Sequence, residues 1–323
     1  MEEVTVAVTG ACGQIAYQLI PSLLKGEVFG DKLINLHLVD IPGLEDKLNG
    51  VMMEIEDCAF EWLKSVHCYS SDALDKAFHD IDFAFLIGAM PRTKGMERSD
   101  LLSRNGAIFK EQGEALSEFA KKSVKVLVVG NPCNTNCLIA AHHAKDIPNE
   151  QFFAMTMLDE NRAKYQLAKR LGVHSSEIQQ LFIYGNHSAT QFPDFENSGL
   201  QVNVEDSWWY ETYVPMIQNR GAAVINARGA SSAASAAHAA VQTARNLVLE
   251  SPQPFSVAKY SKGEAGSPKG LIVSMPCYFE EGVCKVDEQY AHSLEAQKLI
   301  NLSYSELVDE FNQVKALGLV EIE

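Results

Sequence analysis

Apolar residues in the first half of the chain fall in continuous runs, at 4–9, 33–39, 82–87 and 124–129. Between these runs the apolar positions recur at helical spacing. A helix is expected over 14–25, a second over 44–63 with apolar residues at 48, 51, 52, 55, 59 and 63, and a third over about 100–120. Strands without alternation are buried on both faces, and helices between them make the crossovers of a parallel sheet.

Beyond about residue 150 the pattern changes. Runs at 152–155 and 181–184 flank a helix over 159–171, which Gly172 ends. A polar region around 194–210 precedes an alanine-rich helix over 224–249. A Gly/Pro/Ser loop over 251–270, strands near 271–279 and 283–286, and a last helix over 303–317 complete the chain. No internal repeat is visible. The expected architecture is α/β: a Rossmann-type, doubly wound parallel sheet over 1–150, packed tightly against a second α+β domain over 151–323.

Composition narrows the function classes. Of 323 residues, 46% are hydrophobic and 21% charged, ordinary for a soluble globular protein, and the formal charge of −15 opposes nucleic acid and anionic membrane surfaces. The chain has no apolar run long enough for a membrane span, and its acidic N-terminus leads directly into a strand, so a cytoplasmic protein without a targeting peptide is expected. Seven cysteines, at 12, 58, 68, 133, 137, 277 and 284, are scattered without a Cys-x-x-Cys pair. Buried free thiols in a reducing compartment fit this better than disulfides or a metal site.

Candidate chemistry begins after the first strand, at Gly10-Ala11-Cys12-Gly13-Gln14-Ile15-Ala16. Glycine at 10 permits a tight turn, and glycine at 13 lets backbone N–H groups approach a pyrophosphate at the helix start. Small Ala16 allows that helix to lie close to the sheet. Asp40 ends the second strand. A carboxylate there accepts hydrogen bonds from ribose hydroxyls and repels a 2′-phosphate, which favours NAD over NADP.

A second group of residues suits proton transfer beside such a cofactor. His187 follows a short apolar strand in Tyr184-Gly185-Asn186-His187-Ser188, and its imidazole titrates where it can exchange a proton. Asp159 is a good helix N-cap and also a carboxylate able to orient that imidazole. Arg162, one turn later, shares its face and can grip a carboxylate bidentately. Arg92 and Arg98 lie in a Gly- and Pro-containing segment of the kind that closes over a cleft, and Asn131 stands at another strand end. His79, His142 and His143 carry no such context and are expected to be structural.

These motifs in this order resemble the lactate/malate dehydrogenase family, and within it the cytosolic-type malate dehydrogenases. The resemblance runs from Val4 to about Leu317. It also rests on Met-Glu-Ile-Glu-Asp-Cys-Ala-Phe at 53–60, Gly-Met-Glu-Arg at 95–98, Val-Val-Gly-Asn-Pro-Cys-Asn-Thr-Asn at 128–136 and Leu-Asp-Glu-Asn-Arg-Ala at 158–163. It implies that His187 exchanges the substrate proton with Asp159 as its partner, and that Arg162 binds the carboxylate next to the reacting carbon. Arg98 would polarise the carbonyl and Arg92 hold the distal carboxylate. Asn131 would contact substrate and cofactor, with Asn105, Ser231 and Ser232 lining the site, and Gly10, Gly13, Gln14, Ile15 and Asp40 serving NAD. A homodimer is implied, with the 44–63 helix a candidate for its interface.

The sequence departs from the family pattern in four places. Ala16 replaces the commoner third glycine, Met157 and Glu160 stand where arginine and histidine are usual, and the 195–210 region is short. Glu160 is expected to add negative charge beside the catalytic pair. The implied activity is reversible, NAD-dependent interconversion of (S)-malate and oxaloacetate. A lactate dehydrogenase of malate-dehydrogenase ancestry is the nearest alternative, opposed by Arg92, whose guanidinium would be buried against a methyl group. An inactive dinucleotide-binding protein on the same fold is the alternative from another class.

Overall fold

The computed structural model describes residues 2–90, 98–201, 203, 206–249 and 251–321; for Arg98 and Ser99 it describes the backbone alone. Alternation of strand and helix opens the chain: β1 (Glu3–Thr9), α1 (Gln14–Leu24), β2 (Leu33–Asp40), α2 (Glu45–Asp57), β3 (Leu63–Ser70), α3 (Leu74–Ala77), β4 (Phe83–Leu86), α4 (Arg98–Phe119), β5 (Lys125–Val128), α5 (Cys133–His143) and β6 (Phe152–Met155). Then follow α6 (Met157–Leu171), β7 (Phe182–Tyr184), β8 (Phe192–Asp194), α7 (Val214–Gln218), α8 (Arg220–Arg228), α9 (Ala234–Val248), β9 (Phe255–Tyr260), β10 (Ile272–Glu280), β11 (Val283–Val286) and α10 (Leu294–Ala316).

Nine strands form one sheet in the order β11-β10-β9-β6-β5-β4-β1-β2-β3. From β3 to β6 every pairing is parallel. At β6 the sense reverses, and β9, β10 and β11 continue the sheet antiparallel. The expected doubly wound sheet is therefore present, and its outermost strands come from the C-terminal half of the chain. Strand order reverses between β1 and β4, so a crevice opens at their carboxyl ends, where ligands of such folds collect. β7 and β8 make a separate antiparallel pair.

Four expectations need correction. The 44–63 helix stops at Asp57, because Ala59 adopts a left-handed φ of 47° and the chain turns into β3. β3 is an edge strand with mostly half-exposed residues, so it lacks the apolar run that reveals a buried strand. The alanine-rich helix is two, α8 and α9, interrupted where Gly229 takes φ 70°. The 251–270 loop contains β9, whose Ser256 and Lys259 disguise a buried strand; the Ser256 hydroxyl accepts the Ile183 N–H at 2.9 Å and Lys259 lies 3.6 Å from Glu264. The last helix starts at Leu294, well before 303, where the Ser293 hydroxyl accepts the Ala296 N–H at 3.1 Å.

All seven cysteines are free, five of them buried, whereas Cys58 is exposed. Among the described residues no helix is long and apolar enough to cross a membrane, and no three His, Cys, Asp or Glu side chains cluster as metal ligands. A groove of about 570 Å³ lies across β1, β2 and β3, lined by residues including Asn35, His37, Ser65 and His67. It shares no residue with the chemistry described next.

Candidate active site

The turn that carries His187 is clamped by hydrogen bonds on every side. Gly185, at φ 91°, exchanges backbone bonds with Ser274 of β10 at 3.0 and 2.9 Å. The Asn186 N–H donates to the Ser303 hydroxyl at 2.8 Å, and the His187 N–H donates to Asn134 Oδ1 at 3.0 Å. Asn134, on α5, in turn donates to the Ile272 carbonyl at 2.9 Å. The backbone around the imidazole is thus fixed by α5, α10 and β10 together.

Asp159 is fully buried in the first turn of α6. It is not the N-cap, which is Thr156; the Thr156 carbonyl accepts the Asp159 N–H at 3.0 Å, so the helix is already under way and the carboxylate is released for other partners. Its Oδ2 bonds His187 Nδ1. Its Oδ1 accepts from Arg162 Nη1 at 3.1 Å, and Arg162 Nη2 donates to the Ser232 hydroxyl at 3.0 Å. One buried carboxylate therefore joins an imidazole and a guanidinium, each held in a fixed orientation.

The electrostatics follow from that arrangement. Burial pushes the Asp159 carboxyl up, but the His187 and Arg162 charges, with hydrogen bonds from His187 and Gln191, outweigh it and hold it below its ordinary value. Burial likewise pushes the His187 imidazole down, and Asp159 more than reverses this, leaving it above its ordinary value against the opposing charge of Arg162. With Nδ1 engaged, Nε2 is the ring atom left for proton exchange with a ligand.

Glu160 does not crowd this pair. Although buried, its carboxylate turns the other way, accepting the Ser256 N–H at 2.6 Å and Lys164 Nζ at 2.7 Å. Adjacent residues on a helix face about 100° apart, which sends the two carboxylates to different neighbours. Met157 is buried in the core.

On the cofactor side, Gly10 takes φ 65°, and a Cβ there would lie 2.7 Å from the Cα of Gly88, after β4. The loops after β1 and β4 therefore touch. Gly13 caps α1 without any side-chain acceptor, leaving first-turn N–H groups for an anion, with Gln14 and Ile15 opening the helix and Ala16 fully buried beneath it. Asp40 Oδ2 accepts the Cys12 N–H at 2.8 Å, which fixes the acid beside the glycine turn. These features fit an adenine dinucleotide: a turn with no room for a side chain at Gly10, a helix start without a side-chain cap and an acid within reach.

Asn131 lies exposed at the start of α5. Asn105 is buried on α4; its amide accepts the Met90 N–H at 2.8 Å and donates to the Asn131 carbonyl at 3.4 Å, so it ties two loops together. The Ser231 carbonyl accepts from Arg228 Nη1 at 2.7 Å, closing the turn that presents Ser232. Arg92 and the side chain of Arg98 lie outside the described residues. Asn134, Gln191 and Ser303 also hold the site together, and nothing local in the sequence marks them for it.

A parallel sheet with a bare glycine turn at its switch point, and a carboxylate–imidazole–guanidinium group alongside, defines an NAD-dependent oxidoreductase of the Rossmann class. Residues 4–153 match the NAD binding domain of lactate/malate dehydrogenases, and residues 156–317 match their alpha/beta C-terminal domain. The chain belongs to the lactate/malate dehydrogenase family. It is 46% identical over 322 residues to a cytoplasmic malate dehydrogenase of Echinococcus granulosus, spanning 94% of this chain and 96% of that one. Its fold superposes on a malate dehydrogenase of Naegleria fowleri with TM-score 0.93 at 40% identity, covering 98% and 99% of the two chains. A Trichomonas vaginalis lactate dehydrogenase, solved with NADH and oxamate, gives TM-score 0.91 at 35% identity, with 98% of each chain covered.

Proposed function

We propose that this protein is a malate dehydrogenase that interconverts (S)-malate and oxaloacetate, with a dinucleotide domain over 1–150 and a substrate domain over 151–323. The observation that carries this reading is Asp159, which holds His187 and Arg162 on its two oxygens. NAD, when bound, accepts or returns the hydride at C2 of the substrate. His187 Nε2 takes the hydroxyl proton during malate oxidation and gives it back to the carbonyl oxygen during reduction. Asp159 stabilises the imidazolium formed on the way. Arg162 binds the carboxylate beside C2, and Ser232 keeps its guanidinium from rotating.

Arg98 polarises the carbonyl oxygen, and Arg92 pairs with the distal carboxylate. Asn131 contacts substrate and cofactor, with Asn105 and Ser231 shaping the surrounding loops. Gly10, Gly13, Gln14 and Ile15 receive the pyrophosphate, and Asp40 receives the adenosine ribose. We place the protein in the cytoplasm as a homodimer. Support for association comes from α2, which exposes Met53, and from α8, which buries no residue and exposes Ile225.

Lactate dehydrogenase is the second reading, favoured by the likeness to the Trichomonas enzyme. Arg92 decides between them, since a guanidinium buried against a methyl group stays unpaired, at a cost of several kcal/mol. The test compares kcat/KM for oxaloacetate and pyruvate with NADH in the wild type and in Arg92→Leu. Oxaloacetate is expected to be strongly preferred, and the substitution to collapse that preference. A wild type that favours pyruvate would overturn malate as substrate, and no turnover of either acid would leave a dinucleotide-binding protein.

A further inference from the structure

Asn186, directly before His187, is buried, and its amide nitrogen faces two carboxylates of α10: Glu306 Oε2 at 3.0 Å and Glu310 Oε1 at 2.9 Å. Only the NH₂ end of an amide suits that place, so the two acids dictate which way Asn186 points. Glu306 also accepts the hydroxyls of Ser188 and, at 2.6 Å, Thr190, just past the imidazole. Glu310 reaches further. It is buried, and its second oxygen accepts the hydroxyl of Thr135 on α5. The residue before Thr135 is Asn134, whose amide oxygen holds the His187 N–H.

We propose that Glu310 is a positioning residue for the reaction: it locks α5 to the residue preceding His187 and thereby sets the imidazole against Asp159. It touches neither substrate nor reacting atoms. The proposal rests on His187 as the proton-exchanging group. A carboxylate at this depth is costly to desolvate, and an apolar side chain would fill the same space more cheaply. What the acid adds is direction. Its two oxygens bind donors on two different elements, α5 and the 185–188 turn, which leucine would merely pack between. Because Asn134 and Thr135 are neighbours on one helix, a slip of α5 would move both the backbone grip on His187 and the Glu310 link. Bracing α10 against α5 suppresses that slip.

The test measures kcat for oxaloacetate reduction and the Kd for NADH in Glu310→Leu, Glu310→Gln, Thr135→Val and His187→Asn. Glu310→Leu should lower kcat on the order of tenfold to a hundredfold, the scale of a small misplacement of a reacting group, with NADH binding unchanged. Glu310→Gln, whose amide oxygen still accepts from Asn186 while the Thr135 hydroxyl reverses its role, should recover most of the loss. Thr135→Val, nearly the same shape, should lower kcat in the same direction and decides the matter if Glu310→Leu does not fold. Wild-type kcat in Glu310→Leu or Thr135→Val, or an equal loss in Glu310→Gln, overturns the proposal while an inactive His187→Asn leaves the functional reading intact. Full turnover in His187→Asn overturns both.

Discussion

The hydroxyl of Ser303 occupies the space where a side chain on Gly185 would begin, 2.1 Å from the position of an added Cβ. The same oxygen accepts the N–H of Asn186 at 2.8 Å. Glycine is therefore required at 185 for two separate reasons, the close approach of α10 and a φ of 91°. Gly185→Ala is expected to lower stability by about 2–4 kcal/mol and to reduce kcat, read by denaturant unfolding and steady-state kinetics. Adding Ser303→Gly should recover only part of the stability, because the backbone strain remains and the Asn186 N–H loses its acceptor.

The raised pKa of His187 makes the two reaction directions respond oppositely to pH. Reduction needs the imidazolium, so kcat/KM for oxaloacetate should decline as pH rises through a midpoint above 6.5, and malate oxidation should climb through that midpoint. Asp159→Asn removes the charge that raises the imidazole. The midpoint should fall, with at least about a hundredfold loss of reduction at pH 8. An unchanged midpoint would show that Asp159 does not govern the imidazole.

The same pair contributes to stability over a defined window. His187, raised in the folded protein, stabilises fully below its unfolded value of 6.5 and loses that contribution as pH rises through its folded value. Asp159, lowered in the folded protein, contributes above 3.8 and loses the contribution as pH falls through its folded value. The wild type minus Asp159→Asn difference in unfolding free energy should therefore be largest between about pH 4 and 6.5 and should shrink on either side.

Arg162 uses two nitrogens on two partners, which a lysine ammonium cannot reproduce from one point. Arg162→Lys should raise KM for oxaloacetate by ten- to a hundredfold, equivalent to about 1.5–3 kcal/mol, while the Kd for NADH stays the same. A parallel loss of NADH binding would mean that the guanidinium supports the fold and not the substrate.

Asp40 accepts the Cys12 N–H and stands at the end of β2 beside the glycine turn. Its charge would repel a phosphate on the adenosine ribose. Asp40→Asn keeps the acceptor and removes the charge, so the ratio of kcat/KM for NADH over NADPH should fall on the order of tenfold or more. A ratio that stays fixed would place the discrimination elsewhere.

Local signals were enough for the parts of the fold that are self-contained. β1, α1, β2 and β6 lie where continuous apolar runs and the glycine turn put them, since a strand buried on both faces has little freedom in composition. β3 and β9 escaped because an edge strand need not be apolar and a buried one tolerates Ser256 or Lys259 once a neighbour satisfies it. The split between α8 and α9 depended on the left-handed turn at Gly229, which alanine-rich flanks conceal. Glu160 differs from expectation for a similar reason: adjacency in sequence suggests adjacency of charge, whereas helix geometry separates the two side chains.

By itself, the sequence determined which chemical groups are present and which strand ends carry them: Gly10, Gly13 and Asp40 around one turn, and Asp159, Arg162 and His187 in two short motifs. Residue type and local periodicity suffice for that, because turns, caps and strand runs are set within a few residues. Only the tertiary structure decided that one carboxylate serves both the imidazole and the guanidinium, and that α10 and α5 hold the catalytic turn between them. The contacts of α10 with α5 and with the turn join residues more than a hundred positions apart, such as Asn186 with Glu310 and Thr135 with Glu310. Distance along the chain carries no local signal for them; they exist only once the sheet has brought the helices together.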